Sequence, residues 1–125
     1  MRVVDAGVIV EMLVGDLDPA QIGDEEIAAP HLIDSEVTHV LRGLVRRSLL
    51  DEEEGAAAME GFTQLTLTRF PAAWLRRRMW ELRHNLSAYD ATYVALTEMT
   101  DATELLTTDA RLANAPGATC RIRLL

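Results

Sequence analysis

Four acidic residues stand in apolar surroundings at points where strands or helices should begin or end: Asp5 in MRVVDAG, Glu36 in LIDSEVTHVL, Asp90 in SAYDATYVAL and Asp109 in ELLTTDARLA. A carboxylate beside a hydrophobic core loses hydration and needs a cation or hydrogen-bond donors in return. A divalent ion such as Mg2+ or Mn2+ would supply that charge for all four at once. Taken singly, Asp5 or Asp109 reads more readily as a helix cap or an ion-pair partner. Together the four favour a metal site.

The nearby polar residues divide on helical geometry. Asp34 lies two positions before Glu36 and faces another side of the same helix, so it is left out. His39 follows Glu36 by three and could share its face, although a solvated histidine is the simpler reading. Asp16, Asp18, Asp24, Glu25 and Glu26 read as loop charge exposed to solvent. Trp74 and Trp80 are six residues apart in one expected helix, and at least one is expected in the core or a subunit contact.

These acids must be positioned by one small fold. The 125 residues suit a single domain over 1–125, and the 49% hydrophobic and 26% charged composition is that of a soluble globular protein. The lone Cys120 excludes an internal disulfide and a thiolate zinc site. The apolar stretch from Val8 to Val14 is broken by Glu11, which argues against a leader or a membrane span and leads to the expectation of a cytoplasmic protein. A net charge of −8 excludes broad electrostatic adhesion to nucleic acid. Local basic edges remain, because all 12 basic residues are Arg, with Arg42, Arg46 and Arg47 in one expected helix and Arg76, Arg77, Arg78 and Arg83 in another.

The chain alternates between strand and helix patterns. Arg2 to Val4 is a β-branched strand ending at Asp5, and Gly7 to Val14 the helix after it. A loop follows over 15–24, then a brief strand over 27–29. From His31 to Ser48 apolar residues recur every three or four positions, which predicts a long amphipathic helix. The acidic run Asp51 to Glu54 reads as the first turn of another helix, complementing its dipole. A strand is expected over 65–70, a helix over 72–84, and a helix opened by Ser87 that carries Asp90. Strands over 104–107 and 119–124 complete the series. Such alternation predicts an α/β fold, a mainly parallel central sheet flanked by helices, with ligands bound at the carboxyl ends of the strands. Asp5 and Asp109 fall at two of those ends, and helices starting on the same edge can bring Glu36 and Asp90 to them.

In order and context, VVDAGV, SEVTHVL, YDATYVALTE and LLTTDARL resemble the PIN-domain ribonucleases, most closely the small VapC-type toxins of toxin–antitoxin pairs. The resemblance spans nearly the whole chain and implies a PIN-like three-layer domain. It also implies that Asp5, Glu36, Asp90 and Asp109 are the catalytic, metal-binding acids, with Thr107 as a supporting hydroxyl. The implied activity is hydrolysis of RNA phosphodiesters with Mg2+ or Mn2+, ions that favour hard oxygen ligands and stabilise charge on phosphoryl oxygens. The implied partners are RNA, a cognate VapB-type antitoxin and a second copy of the chain in a homodimer, without a membrane.

One position departs from the pattern: many relatives carry Ser or Thr two residues after the first Asp, where this chain has Gly7. A catalytically weak PIN-fold binding module is therefore the alternative. A receiver or aspartate-nucleophile phosphatase is excluded more firmly, because both need a lysine near the phosphate and the chain has none.

Overall fold

Short runs of Val, Ile, Leu and Ala build a sheet in which every strand runs parallel to its neighbours. In the computed structural model, which describes residues 1–125, the strands are β1 (Arg2–Val4), β2 (Ile27–Pro30), β3 (Thr68–Phe70), β4 (Leu105–Thr107) and β5 (Ile122–Leu124). Their spatial order is β3-β2-β1-β4-β5, and all four pairings are parallel. Val3 pairs with Ala28 on one side and Leu105 on the other. Val3, Val4, Ala28, Ala29, Leu105 and Leu106 are wholly inaccessible to solvent. A parallel sheet of this kind requires helices on both faces, because each crossover returns the chain across the sheet.

The crossovers are α1 (Ala6–Val14) between β1 and β2, then α2 (Leu32–Arg46) and α3 (Glu52–Gln64) between β2 and β3. The chain next passes back across β1 through α4 (Arg76–Glu81) and α5 (Ala88–Met99) to reach β4, and α6 (Ala110–Ala113) leads to β5. Successive strands thus extend one way from β1 and then the other. The strand order reverses between β1 and β4, so their carboxyl ends flank the crevice where such sheets bind ligands. Helix α5 is buried from Ala91 through Thr97, packed beneath α4 and against the sheet. Helix α2 buries Ile33, Val37 and Leu41, packs against α1 and α3, and leaves Ser35, Thr38, His39 and Arg42 exposed.

Several boundaries differ from the sequence expectation for local reasons. The strand expected over 65–70 begins at Thr68, because α3 continues to Gln64 and the Leu65 N–H still donates to the Phe62 carbonyl. The helix expected over 72–84 is divided into a 3-10 turn at Ala73–Leu75, the six-residue α4, and turns in which Leu82 and Asn85 N–H groups donate to Arg78 and Leu82 carbonyls. Asp51 lies just outside α3 as its N-cap. Its carboxylate accepts from Glu54 N–H at 2.7 Å while Glu54 accepts from Asp51 N–H at 3.0 Å, a reciprocal capping box. The 3-10 turn Pro19–Gln21 and the four-residue α6 are too short to leave a periodic signal.

Both tryptophans are exposed, Trp74 at 45% and Trp80 at 68%, so neither is a core residue. Trp80 instead stacks under the Arg83 guanidinium, 4.5 Å from the ring centroid. Glu25 is more than loop charge: it accepts from the N-terminal ammonium and from Thr103, and pairs with Arg2. Cys120 is unpaired and half-buried, and burial raises its thiol pKa to about 11, which keeps it neutral. No helix is long and apolar enough to cross a membrane.

Candidate active site

Asp5 follows the last residue of β1 and caps α1, its Oδ1 accepting from Val8 N–H at 3.0 Å. Its other oxygen, Oδ2, accepts a short hydrogen bond from the Thr107 hydroxyl. Thr107 is fully buried at the end of β4, and the same Oγ1 accepts from Asp109 N–H at 2.9 Å. One threonine therefore ties the ends of the two strands at the point where the sheet order reverses. Asp109 caps α6 through Arg111 N–H at 2.9 Å, and the 96%-exposed Arg111 guanidinium lies 4.0 Å from it.

The other two acids come from helices. Asp90 is in the first turn of α5, where its N–H donates to the Ser87 hydroxyl at 3.1 Å. Glu36 lies just beyond the first turn of α2, and its Oε1 accepts from the Tyr93 hydroxyl at 2.6 Å. Tyr93, buried on α5 three residues after Asp90, was not foreseen as a site residue; its spacing from Asp90 is the signal that places both on one helical face.

Electrostatics joins the four acids. The Asp5 carboxyl is held above its ordinary pKa by burial, opposed by the Thr107 and Val8 hydrogen bonds and assisted by the charges of Asp90 and Asp109. Burial likewise raises Glu36, against the Tyr93 hydrogen bond and with Asp90 and Asp5 adding to the rise. Asp90 is raised by burial and then by Asp109, with Arg111 pulling the other way. Tyr93 is pushed up by burial and by Glu36, which keeps it a neutral donor. Asp5, Glu36 and Asp90 thus each feel another of the four acids, and all three carry charge that the protein leaves undercompensated.

The gathering is looser than a closed ligand set. No three carboxylate, histidine or cysteine groups are drawn close enough together to hold a metal ion as they stand. Like charges repel, and hydroxyl donors from neighbouring elements hold two of the acids, Thr107 of β4 binding Asp5 and Tyr93 of α5 binding Glu36. The principal surface grooves are not lined by these acids, although two of them reach Thr108, and one of those also reaches Gly7.

Of the other polar candidates, His39 is exposed, and Asp34 is engaged away from the acids by a two-point pair with Arg69 at 2.7 Å for both contacts. Among the clustered arginines, Arg78 is committed to Glu98 and Glu81.

Comparison with known proteins follows the same outline. Residues 2–118 match the PIN domain family. Ribonuclease VapC9 of Mycobacterium tuberculosis is 41% identical, with 100% of this chain and 98% of that protein covered, and Ribonuclease VapC1 of the same organism is 43% identical over 98% and 96%. The chain is a VapC-type member of the PIN-domain family. Among solved structures, PAE2754 of Pyrobaculum aerophilum superposes with a TM-score of 0.69 at 22% identity, covering 97% of this chain and 81% of that one. VapC20 of Mycobacterium tuberculosis, described as a sarcin–ricin loop cleaving toxin, gives 0.65 at 17% identity over 90% and 93%. At those identities the two structures speak for the fold.

Proposed function

We propose that this chain is a divalent-cation-dependent endoribonuclease toxin whose catalytic acids are Asp5, Glu36, Asp90 and Asp109. The observation that carries the reading is the charge coupling of Asp5, Glu36 and Asp90 with one another and with Asp109 near the carboxyl ends of β1 and β4, in a chain of the VapC type. The donor chemistry fits a hard cation: all four side chains offer oxygen, and Asp5, Glu36 and Asp90 bear charge that burial and neighbouring acids disfavour. Bound there, Mg2+ or Mn2+ would supply Lewis-acid stabilisation of the phosphoryl oxygens and a lowered pKa for an attacking water.

The protein's own groups have separate duties. Thr107 holds Asp5 in one orientation, Tyr93 does the same for Glu36, and the second Glu36 oxygen is left to orient water or cation. The exposed Arg111 is suited to an RNA phosphate beside Asp109. A VapB-type antitoxin is the expected inhibitor, and an arginine from it would meet the acidic crevice. Beside the crevice, Val10, Val14, Val40, Leu44 and Leu49 line a groove that supports docking of such a segment. Homodimer formation and a cytoplasmic location, where RNA and antitoxin are both met, belong to the same proposal.

The alternative, a catalytically weak binding module, draws on the absence of a closed ligand set. Incubation of purified protein with structured RNA separates the two. Cleavage should require Mg2+ or Mn2+, stop in chelator, and fall by about 100-fold or more in Asp5→Asn and Asp90→Asn. Undiminished cleavage by both variants would overturn the assignment.

A further inference from the structure

The segment from α4 to the start of α5 has two unlike sides. Leu75 and Leu82 are buried, Met79 is half-buried, and Arg78 is drawn inward to Glu98 and to the Gly117 carbonyl. Arg76, Arg77, Trp80 and Arg83 are exposed and recur at helical spacing, so they share the outer side. Their charge is not answered by the protein. Acidic residues outnumber arginines 20 to 12, yet none of Arg76, Arg77 and Arg83 pairs with a carboxylate. Arg76 and Arg83 donate only to carbonyls of their own segment, those of Ala73 and Trp80, and the acid of this helix, Glu81, is paired with Arg78. Arg42, Arg46 and Arg47 on α2 are also without acidic partners, but no exposed aromatic ring stands in their helix. On α4 the Arg83 guanidinium lies 4.5 Å from the Trp80 ring centroid. With that contact made, Trp80 is still 68% exposed, so an aromatic face remains free beside three uncompensated cations.

We propose that this outer side of α4 is a binding platform for single-stranded RNA, on which Trp80 stacks an unpaired base and Arg76 and Arg77 hold the adjoining phosphates. An indole face flanked by guanidinium groups is the combination that binds single strands, the ring taking any base and the cations following the backbone. A duplex keeps its bases stacked inside and offers no face to Trp80. An anionic backbone also supplies what three unpaired arginines lack in a chain of net charge −8. The platform is tied to the acids by the chain itself. Hydrogen-bonded turns carry Arg83 into Ser87, the N-cap of α5, and the seven residues from Arg83 to Asp90 span at most about 25 Å. A strand held on α4 is thus within a few nucleotides of Asp90. That last step rests on the nuclease reading, whereas binding on α4 does not.

The probe is a short, mixed-sequence single-stranded oligoribonucleotide, titrated into the intact chain in chelator so that the strand stays uncut, with the same sequence as a duplex for comparison. Trp80→Ala should weaken single-strand binding about tenfold and leave duplex binding unchanged, and Trp80→Phe should recover most of the loss. Replacing Arg76 and Arg77 together by Gln should make the fall of log affinity with log salt shallower by about 1.4, at about 0.7 for each phosphate contact. Wild-type affinity in Trp80→Ala, or an equal loss when Arg42 and Arg46 are replaced by Gln instead, would overturn the proposal, the latter because it signals diffuse attraction to charge. Conversion of a dimer to monomers by Trp80→Ala in sedimentation would also overturn it, since a second copy would then cover this face. Cleavage with Mn2+ run in parallel keeps the two readings apart: if the wild type binds the strand through Trp80 but does not cut it, the nuclease reading falls and the platform stands.

Discussion

At the residue scale, Asp5 is the N-cap of α1 and, in the proposed function, also a catalytic acid, and substitution separates the two. Asp5→Asn keeps a good N-cap for Val8, whereas Asp5→Ala removes it. Both should abolish cleavage, but only the alanine variant should lose the additional ~1 kcal/mol of stability in denaturant unfolding. Tyr93→Phe tests the donor to Glu36. That hydrogen bond lowers a carboxyl which burial raises, so removing it should move the acid limb of the pH–rate profile to higher pH and reduce cleavage about three- to tenfold at neutral pH. An unshifted acid limb would mean that Glu36 does not titrate in catalysis. The four acids proposed for the site stood out in sequence because each interrupts an apolar run at a strand or helix end. Tyr93 did not, since a tyrosine inside an apolar helix acquires significance only from its tertiary neighbours.

At the element scale, long periodic segments such as α2 and the mostly buried α5 were readable, and so was the alternation that makes the sheet parallel. Short elements were not. Helix α4 has too few turns to show a stripe, and Pro71 with the turns after Glu81 bound it on both sides. The acidic run before α3 was recognised as a helix start, but the distinct position of Asp51 depends on a reciprocal bond with Glu54 that charge alone does not reveal. Asp51→Ala should lower stability by about 1 kcal/mol in denaturant titration and leave RNA cleavage per folded molecule unchanged. Loss of cleavage in the folded variant would show that α3 takes part in the site.

At the scale of the whole molecule, the sheet separates two ionic ends. At the amino end the buried Glu104, 3% exposed, is surrounded by Arg2, Arg121 and Arg123, an ion cluster assembled from both chain termini and invisible to local pattern. At the carboxyl end Asp5, Glu36 and Asp90 have folded pKa values raised above the ordinary range, so their stabilising effect is present at acidic pH and is lost as pH rises through those raised values. Asp34 and Glu98, whose pKa values are lowered, lose their contribution only as pH falls below the ordinary range. The metal-free chain should therefore be strained at the crevice at neutral pH, and the rise in Tm caused by Mn2+ should be larger at pH 7 than at pH 5. At 100 times the dissociation constant the expected stabilisation is about 2.7 kcal/mol, a shift of several degrees in thermal unfolding. The most direct measurement of the central claim is calorimetric titration of Mn2+ into the wild type and into Asp5→Asn, Glu36→Gln, Asp90→Asn and Asp109→Asn. A single crevice built by all four acids predicts binding to the wild type and weakening in every variant; wild-type affinity throughout the series, or no binding to the wild type, would contradict it.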